Sequence, residues 1–336
     1  MDPDSVATTE RVPHGGTTDS SLLEFSANVN PEIPDGVEAV YESALSESRR
    51  YPDDSYRAFR EAGADVVGCD PNQVVSTAGG LEAIRLAIAT QIEPGDTVLV
   101  PKPSFSEYAR EIKLQGGTPE FVSAKKLLTC DTEAAAMAIV CNPNNPTGRA
   151  YDHENLQAFA RQCRQTDTTL LVDEAFLSFT DRPSMAGTDG VIVARSLTKL
   201  YGLPGLRAGY AVGTGQDLDL LTTARRAWSV SVPAATVGTY CLGRASFAEQ
   251  TRERVAKERE RMRKALDSKF DTSPSGAPFL LLDVGDRSVE EIVEHCREQG
   301  IAIRDARTFR GLDSHIRVAI RTPDENDQLL RVLSNV

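Results

Sequence analysis

One lysine, Lys199, sits between Ser196 and Arg207 in the glycine-rich run RSLTKLYGLPGLRAGY, Arg195 to Tyr210. A hydroxyl three residues before it and a guanidinium eight residues after it suit an amine that attacks an aldehyde carried beside a bound phosphate. Glycine, serine and arginine are also ordinary loop residues, so this run alone would equally fit a surface loop. The segments elsewhere in the chain tip that balance.

Short apolar runs bounded by polar turns predict buried parallel strands at Gln73–Ser76, Thr97–Val100, Ala138–Cys141, Thr169–Val172 and Val191–Ala194. Amphipathic stretches such as Leu81–Ile92 and Asn155–Gln165 alternate with them. Strand followed by helix, repeated, gives an α/β fold with a parallel sheet covered on both faces. Ligands of such sheets gather beyond the carboxyl ends of the strands.

Polar residues stand at those ends. Thr77-Ala78-Gly79-Gly80 follows the first run and opens a helix near Leu81, where backbone N–H groups and the helix dipole can hold an anion. NPNNPTG, Asn142 to Gly148, follows the third run and carries three asparagine amides on a proline-stiffened loop. Asp173 ends the fourth, and a carboxylate there is costly without a cationic partner. An anion-binding helix start, amides, a partly buried carboxylate and a lysine form the inventory for a pyridinium cofactor. Asp173 would pair with the ring nitrogen and Asn145 with the ring hydroxyl. Gly80, Leu81, Ser196 and Arg207 would hold the phosphate.

Composition sets limits on the rest. The 336 residues suit a large core domain plus a smaller one. The formal net charge of −12 disfavours binding to nucleic acid or an anionic membrane, and no apolar run reaches membrane-spanning length. Only eight of the cations are lysines against 29 arginines, a bias that fits a salt-rich cytoplasm or a GC-rich genome. Six cysteines without a C-x-x-C pair and four scattered histidines give no metal site and no disulfide framework. The glycines of GYAVGTG, Gly209 to Gly215, lack the spacing of a nucleotide loop. Residues 1–22 are polar, with no apolar leader, and read as a disordered acidic tail of a cytoplasmic protein.

The motifs NPNNPTG, VDEAF and SLTKLYGLPGLRAGY, in that order, resemble the fold-type-I pyridoxal-phosphate enzymes of the class I/II aminotransferase family, from about Phe25 to the C-terminus. The resemblance implies pyridoxal 5'-phosphate as cofactor, Lys199 as the Schiff-base lysine, Asp173 as the ring-nitrogen partner and Asn145 as the ring-hydroxyl partner. Gly79, Gly80, Leu81, Ser196, Thr198 and Arg207 would surround the phosphate. Phe105 in PKPSFSEY takes the ring-stacking position, with Tyr108 the second candidate. Tyr51 in RRYPDDSY matches a tyrosine that reaches the cofactor phosphate of a neighbouring subunit, which implies a homodimer with shared active sites. Phe176 stands where many of these enzymes have tyrosine; it packs but cannot donate to the ring oxygen, leaving more of that role to Asn145.

Two sub-groups compete, and the decarboxylases are the expected one, with the aminotransferases as the alternative. FSANVNP at Phe25–Pro31, DEAF, and IRDARTFRGLDSHIRVAIR at Ile303–Arg321 resemble threonine-phosphate decarboxylases of cobalamin biosynthesis, while YPD and GLRAGY are shared with histidinol-phosphate aminotransferases. Either implies a small phosphorylated amino-acid or amine substrate. The arginine-rich C-terminal segment fits such an anion, because guanidinium forks match carboxylate and phosphate. By resemblance Arg317 and Arg304 bind substrate, with Arg321, Asn28 and Asn30 as further candidates. A non-catalytic pyridoxal-binding regulator of the same fold would carry a basic DNA-binding domain ahead of it; the acidic N-terminal stretch does not fit one.

The expected architecture is a mostly parallel seven-stranded sheet between helices in a large domain, residues 46–242, with a small α+β domain at 244–336. Residues 23–45 would cross over to join the small domain. Thr251–Lys269 reads as a long, charged linking helix.

Overall fold

The computed structural model describes residues 1–336. The strands in chain order are β1 (Leu23–Glu24), β2 (Val74–Thr77), β3 (Thr97–Lys102), β4 (Thr118–Ser123), β5 (Met137–Cys141), β6 (Thr169–Asp173) and β7 (Val191–Ser196). They continue as β8 (Gly209–Val212), β9 (Asp271–Thr272), β10 (Phe279–Asp283), β11 (Ile301–Ala302), β12 (Arg304–Asp305) and β13 (His315–Ala319). Helices α1 (Pro3–Thr8), α2 (Val37–Glu47), α3 (Arg57–Val67), α4 (Gly80–Gln91), α5 (Glu107–Leu114) and α6 (His153–Gln165) come first. After them come α7 (Gly215–Ala224), α8 (Val232–Leu242), α9 (Ala245–Leu266), α10 (Val289–Glu298) and α11 (Pro323–Leu333).

Seven strands form the main sheet in the order β2-β8-β7-β6-β5-β3-β4. Only β8 runs antiparallel to its neighbours, so the sheet is mostly parallel as the strand-helix alternation predicts. Every residue of β5 is buried, as are Leu170 to Asp173 of β6, because helices cover both faces and leave no polar side. These are the runs that the sequence displays most plainly. β4 is less visible: it is a half-exposed edge strand, and Pro119 is tolerated there because an edge leaves N–H groups unpaired. β8 is hidden in the glycine run for a steric reason. A Cβ on Gly209 would lie 2.6 Å from the Arg195 carbonyl oxygen and equally close to the Gly79 carbonyl carbon.

A four-stranded sheet, β12-β13-β10-β9, is antiparallel throughout. β1 pairs in parallel with β11 beside it. The segment 23–45 therefore divides: its first residues join the C-terminal layer, but α2 packs on α8 of the main body. The charged linking helix is α9, and it starts six residues earlier than the charge pattern suggests.

The tail is where the structure departs most from expectation. In the structure residues 1–22 lie along the body rather than free of it. Asp2 caps α1 by accepting from the Ser5 N–H at 2.7 Å, Pro3 opens the helix, and the Asp2 N–H donates to the Leu114 carbonyl at 2.9 Å, tying α1 to α5. The strap then runs along the protein. His14 Nε2 lies 2.8 Å from Glu107, and the Gly16 N–H donates to Ser26 Oγ at 2.8 Å. At Gly15 a Cβ would lie 2.3 Å from the Ser26 carbonyl oxygen, so only glycine permits this approach. Polar composition misled here because backbone and cap hydrogen bonds, rather than apolar burial, hold the segment down.

Candidate active site

A cavity of about 310 Å³ lies beyond the carboxyl ends of β2, β6 and β7, closed on one side by β12 and β13 and at its rim by Pro13, His14 and Gly15. Lys199, Asp173, Asn145, Gly80, Leu81, Ser196, Thr198, Arg207, Phe105, Phe176, Asn28, Arg304 and Arg317 all line it. Residues spread from position 28 to position 317 thus converge on one space.

At one end the backbone makes an anion cradle. Gly79 has φ +87° and precedes the first turn of α4, whose N–H groups lack helical partners. A Cβ on Gly79 would stand 2.5 Å from Arg207 Nη2, and one on Gly80 would stand 3.0 Å from Ser196 Cβ. Arg207 itself holds a left-handed φ of 56°, which swings its guanidinium back toward Ala78. Ser196 Oγ and Thr198 Oγ1 lie 2.8 Å apart, one hydroxyl supporting the other. Gly79 is behind this surface rather than on it, and its smallness is what lets Arg207 approach.

Lys199 follows β7 and is held by its backbone, its carbonyl accepting the Asn30 N–H at 3.0 Å. Burial above all, then the charges of Arg317 and Arg207, lowers its amine from 10.5 to about 8, with Asp173 acting against them. A buried amine lowered this far is a better nucleophile near neutral pH.

Asp173 lies across the cavity. Burial raises its carboxyl, against hydrogen bonds from Tyr108 and the Ala175 N–H and the charges of Arg195 and Lys199. Beneath it, Glu174 and Arg195 form a buried ion pair at 3.0 Å. Ser184 Oγ and the Met185 N–H also donate to Glu174, and Ser178 Oγ accepts from Arg195 at 2.6 Å. The strand ends are fixed by fully satisfied charges.

The far wall belongs to the C-terminal layer. Arg317 on β13 is buried, donating through Nη1 to Asn145 Oδ1 and through Nη2 to the Ser26 carbonyl at 2.9 Å. The rings of Phe279 and Phe309 flank it at 5.1 and 5.4 Å. Arg304 on β12 is its register partner and donates to the Pro13 carbonyl at 2.9 Å. Burial and then Arg304's charge push the Arg317 guanidinium down from its ordinary value. Arg317 Nε and Asn28 Oδ1 are buried without hydrogen-bond partners.

Besides Gly79, four predicted positions lie outside the lining of this cavity. Tyr108 does not stack on anything in the cavity: it is fully buried behind Phe105, edge-on to it at 5.6 Å, with its phenol on Asp173. That places it on the side of α5 that packs into the body, one turn below Phe105. Asn30 lies outside the cavity, its amide donating to the Leu200 carbonyl at 2.8 Å and its oxygen accepting the Glu32 N–H at 3.2 Å. Arg321 falls beyond the end of β13 and turns to the Glu24 carbonyl at 3.0 Å and to Glu325 at 2.8 Å. Tyr51 is 77 % exposed, stacked on Trp228 at 4.4 Å and outside its own chain's cavity. Sequence reasoning also missed Ser26, Ser106, Phe309 and the Pro13–Gly15 rim; a histidine-glycine-glycine run inside a polar tail was the available signal.

The lining carries four cations, Lys199, Arg207, Arg304 and Arg317, and one carboxylate, Asp173, in a protein of net charge −12. The residues fit pyridoxal phosphate. A glycine cradle with Arg207 could hold its phosphate, Asp173 its ring nitrogen, and Lys199 its aldehyde, while the orphaned Asn28 and Arg317 atoms await further polar groups. Fold and site together define a fold-type-I pyridoxal-phosphate enzyme. Residues 20–333 match the family described as aminotransferase class I and II, and the chain belongs to that pyridoxal-phosphate-dependent family. A Caldanaerobacter subterraneus protein provisionally named a threonine-phosphate decarboxylase is 34% identical over 333 residues, covering 91% of this chain and 88% of its own. Histidinol-phosphate aminotransferase 1 of Archaeoglobus fulgidus is 30% identical over 324 residues, covering 94% and 99%. Further relatives carry that second name. The crystal structure of L-threonine-O-3-phosphate decarboxylase from Porphyromonas gingivalis superposes with a TM-score of 0.84 at 26% identity, covering 93% of this chain and 98% of that one.

Proposed function

We propose that this protein decarboxylates L-threonine O-3-phosphate to CO2 and (R)-1-amino-2-propanol O-2-phosphate, a building block of the cobalamin nucleotide loop. The supporting observation is the count of cations around the cavity. Once Arg207 and the α4 cradle hold the cofactor phosphate and Lys199 its aldehyde, Arg304 and Arg317 remain on the opposite wall. Threonine phosphate brings a carboxylate and a phosphate to two guanidinium groups; histidinol phosphate brings a phosphate alone. The greater identity to the Caldanaerobacter relative points the same way.

Bound pyridoxal phosphate supplies an electron sink for whichever bond at the substrate's α-carbon stands perpendicular to its ring. The protein's residues choose that bond. Hydrogen bonds from Tyr108 and the Ala175 N–H favour the ionised form of Asp173 against its burial, and that carboxylate would stabilise a protonated ring nitrogen. Asn145 holds the ring hydroxyl without help from Phe176, which packs edge-on against Phe279 at 5.3 Å. Phe105 would cover one ring face, and Leu81 and Thr198 would complete the phosphate end, with Gly79 behind them making room for Arg207. Arg317, braced by Asn145 and the Ser26 carbonyl, would bind and orient the substrate carboxylate, with Asn28 as a further polar partner and Arg304 reserved for the substrate phosphate. Lys199, whose amine faces the same space, would hold the cofactor aldehyde at rest and would supply the proton that the α-carbon takes up when CO2 leaves.

A second reading is favoured by the names of several relatives: a histidinol-phosphate aminotransferase, in which the same arginines would serve an acidic amino donor. The chemistry separates the two. CO2 and aminopropanol phosphate formed from threonine phosphate without a 2-oxo acid support the decarboxylase. Turnover of histidinol phosphate that depends on a 2-oxo acid, with no CO2 from threonine phosphate, overturns it.

We further propose a homodimer in which Tyr51 reaches the cofactor phosphate of the second subunit. Tyr51 and Trp228 form an exposed aromatic pair, 77 % and 51 % accessible, of the kind that marks an interface. A monomeric mass in solution, or cofactor affinity unaffected by Tyr51→Phe, would remove this assignment.

A further inference from the structure

A second cavity, about 770 Å³, adjoins the first and shares Pro13, Phe105 and Ser106 with it. Its charges are lopsided: Arg11, Arg110, Lys113, Arg307 and Arg310 line it against a single carboxylate, Glu10. Two of those cations are neutralised by neighbours. Arg110 contacts Glu111 at 3.0 Å and Arg307 contacts Asp305 at 2.7 Å. Arg11, Lys113 and Arg310 have no ion-pair partner among the salt bridges of the structure. Arg310 is nonetheless held in place, its guanidinium 4.2 Å from the Phe121 ring centroid, a contact that orients the group and leaves its charge unspent.

These cations come from three separate places in the chain. Arg11 is on the N-terminal strap, Lys113 on α5, and Arg310 on the loop between β12 and β13. A solvated charged face would mix signs, as α9 does with its own Arg–Glu and Lys–Glu pairs. Three unpaired cations converging beside an active-site mouth, on a chain with net charge −12, call for a ligand of the opposite sign. The overall field of this protein repels a phosphorylated substrate, and a local positive cleft reverses that field where it matters.

We propose that this cleft is an anion-collecting antechamber: Arg11, Lys113 and Arg310 gather the phosphate-bearing substrate from solution and deliver it past Pro13 and Phe105 to Arg304 and Arg317. The inference rests on the reading of the substrate as a phosphorylated anion. Charges in a cleft walled by low-dielectric protein focus the potential, and such steering raises association rates by about 10- to 1,000-fold at low salt. It fades as the screening length shortens toward about 8 Å at physiological ionic strength. The antechamber acts on arrival, so its mark is on the association rate constant and its salt dependence.

The test uses the holoenzyme in a stopped-flow instrument, following the bound cofactor's absorbance on mixing with threonine phosphate at about 0.01 M and about 0.15 M salt. The Lys113→Glu/Arg310→Glu double variant should associate about tenfold more slowly than the parent at low salt, with the gap narrowing at the higher salt. L-Threonine, which lacks the phosphate, should associate with both proteins alike. A Lys113→Gln/Arg310→Gln variant, with unchanged cofactor spectrum, guards against misfolding and should lie between the two. Equal association rates for parent and both variants overturn the antechamber. If threonine phosphate elicits no spectral response and histidinol phosphate does, the decarboxylase reading falls; the same rate comparison made with histidinol phosphate then decides the antechamber on its own.

Discussion

The Tyr108 phenol donates a hydrogen bond to Asp173 Oδ2, and both side chains are buried. Cys141 Sγ lies 3.9 Å from the same oxygen. The carboxylate that lines the cavity is thus anchored from behind by a residue on a different element, α5. Burial raises the Asp173 carboxyl, so its ionised form costs stability in the empty protein: that contribution is fully favourable below the unfolded value of 3.8 and declines as pH rises through the folded value.

Tyr108→Phe removes the largest influence opposing that rise. The carboxyl then shifts further up, and the variant loses more stability than the parent as the carboxylate ionises. At neutral pH we expect the apoprotein to be about 1.5–3 kcal/mol less stable, the range for a hydrogen bond to a charged group. The deficit should shrink toward acid pH, where Asp173 is protonated in both proteins. Denaturant titrations of both apoproteins across pH measure this; a deficit independent of pH would mean that Tyr108 only fills space.

Lys199 has the opposite linkage. Its amine is lowered from 10.5 to about 8, chiefly by burial, so the neutral amine is the form that the fold prefers. The stabilising contribution is complete above 10.5 and is lost as pH falls through about 8. Replacing it with an uncharged chain, Lys199→Met, should flatten that part of the apoprotein's pH–stability curve and abolish the absorbance band of the lysine-bound cofactor. Survival of the band would assign the aldehyde to another amine.

Gly79 is required on two counts, its φ of +87° and the 2.5 Å approach to Arg207. Gly79→Ala should therefore displace Arg207 and weaken cofactor binding by about 10- to 100-fold, corresponding to roughly 1.4–2.8 kcal/mol. Gly205, in the short turn Pro204–Leu206 just before Arg207, would have nothing within 4 Å of an added Cβ and has no left-handed φ, so Gly205→Ala is the matched control. Equilibrium dialysis of apoprotein against pyridoxal phosphate reads both; equal affinities would show that the cradle tolerates a methyl group.

What the chain spelled out locally was legible: apolar runs fully buried in the sheet, and the polar residues that punctuate their ends. Lys199, Asp173, Asn145 and Gly80 are recognisable because each sits at the carboxyl end of such a run or in a loop opening there. Direction within an element was not legible. Phe105 and Tyr108 are both aromatic and three residues apart, and only the packing of α5 sends one into the cavity and the other beneath Asp173. Arg317 and Arg321 have even spacing, which places them on one face of an ideal strand. β13 ends at Ala319, and Arg321 turns away to Glu325. The strap escaped notice because hydrogen bonds to Ser26, Arg304 and Leu114 order it, and those partners lie far off in sequence.

Arg317 gives the sharpest separation of stability from function. Its guanidinium is buried with Nε unpaired, and Arg304 stands opposite it in the strand register. Both features make its charge costly before an anion arrives, which is the condition under which replacing a buried ion by an apolar chain is neutral or stabilising. Arg317→Met loses the bonds to Asn145 and the Ser26 carbonyl but also removes that unpaired charge, so we expect apoprotein stability to stay within about 1 kcal/mol of the parent. Substrate recognition should suffer far more. Truncating one side of a buried charged pair costs about 2–5 kcal/mol, so kcat/KM for threonine phosphate should fall by roughly 30-fold or more. Arg317→Lys restores the charge without the planar fork and should recover only part of it. Calorimetry and steady-state kinetics on the three proteins check the pattern. A large loss of stability with intact kcat/KM would make Arg317 a strut between Asn145 and Ser26 and leave the substrate carboxylate to Arg304 and Asn28.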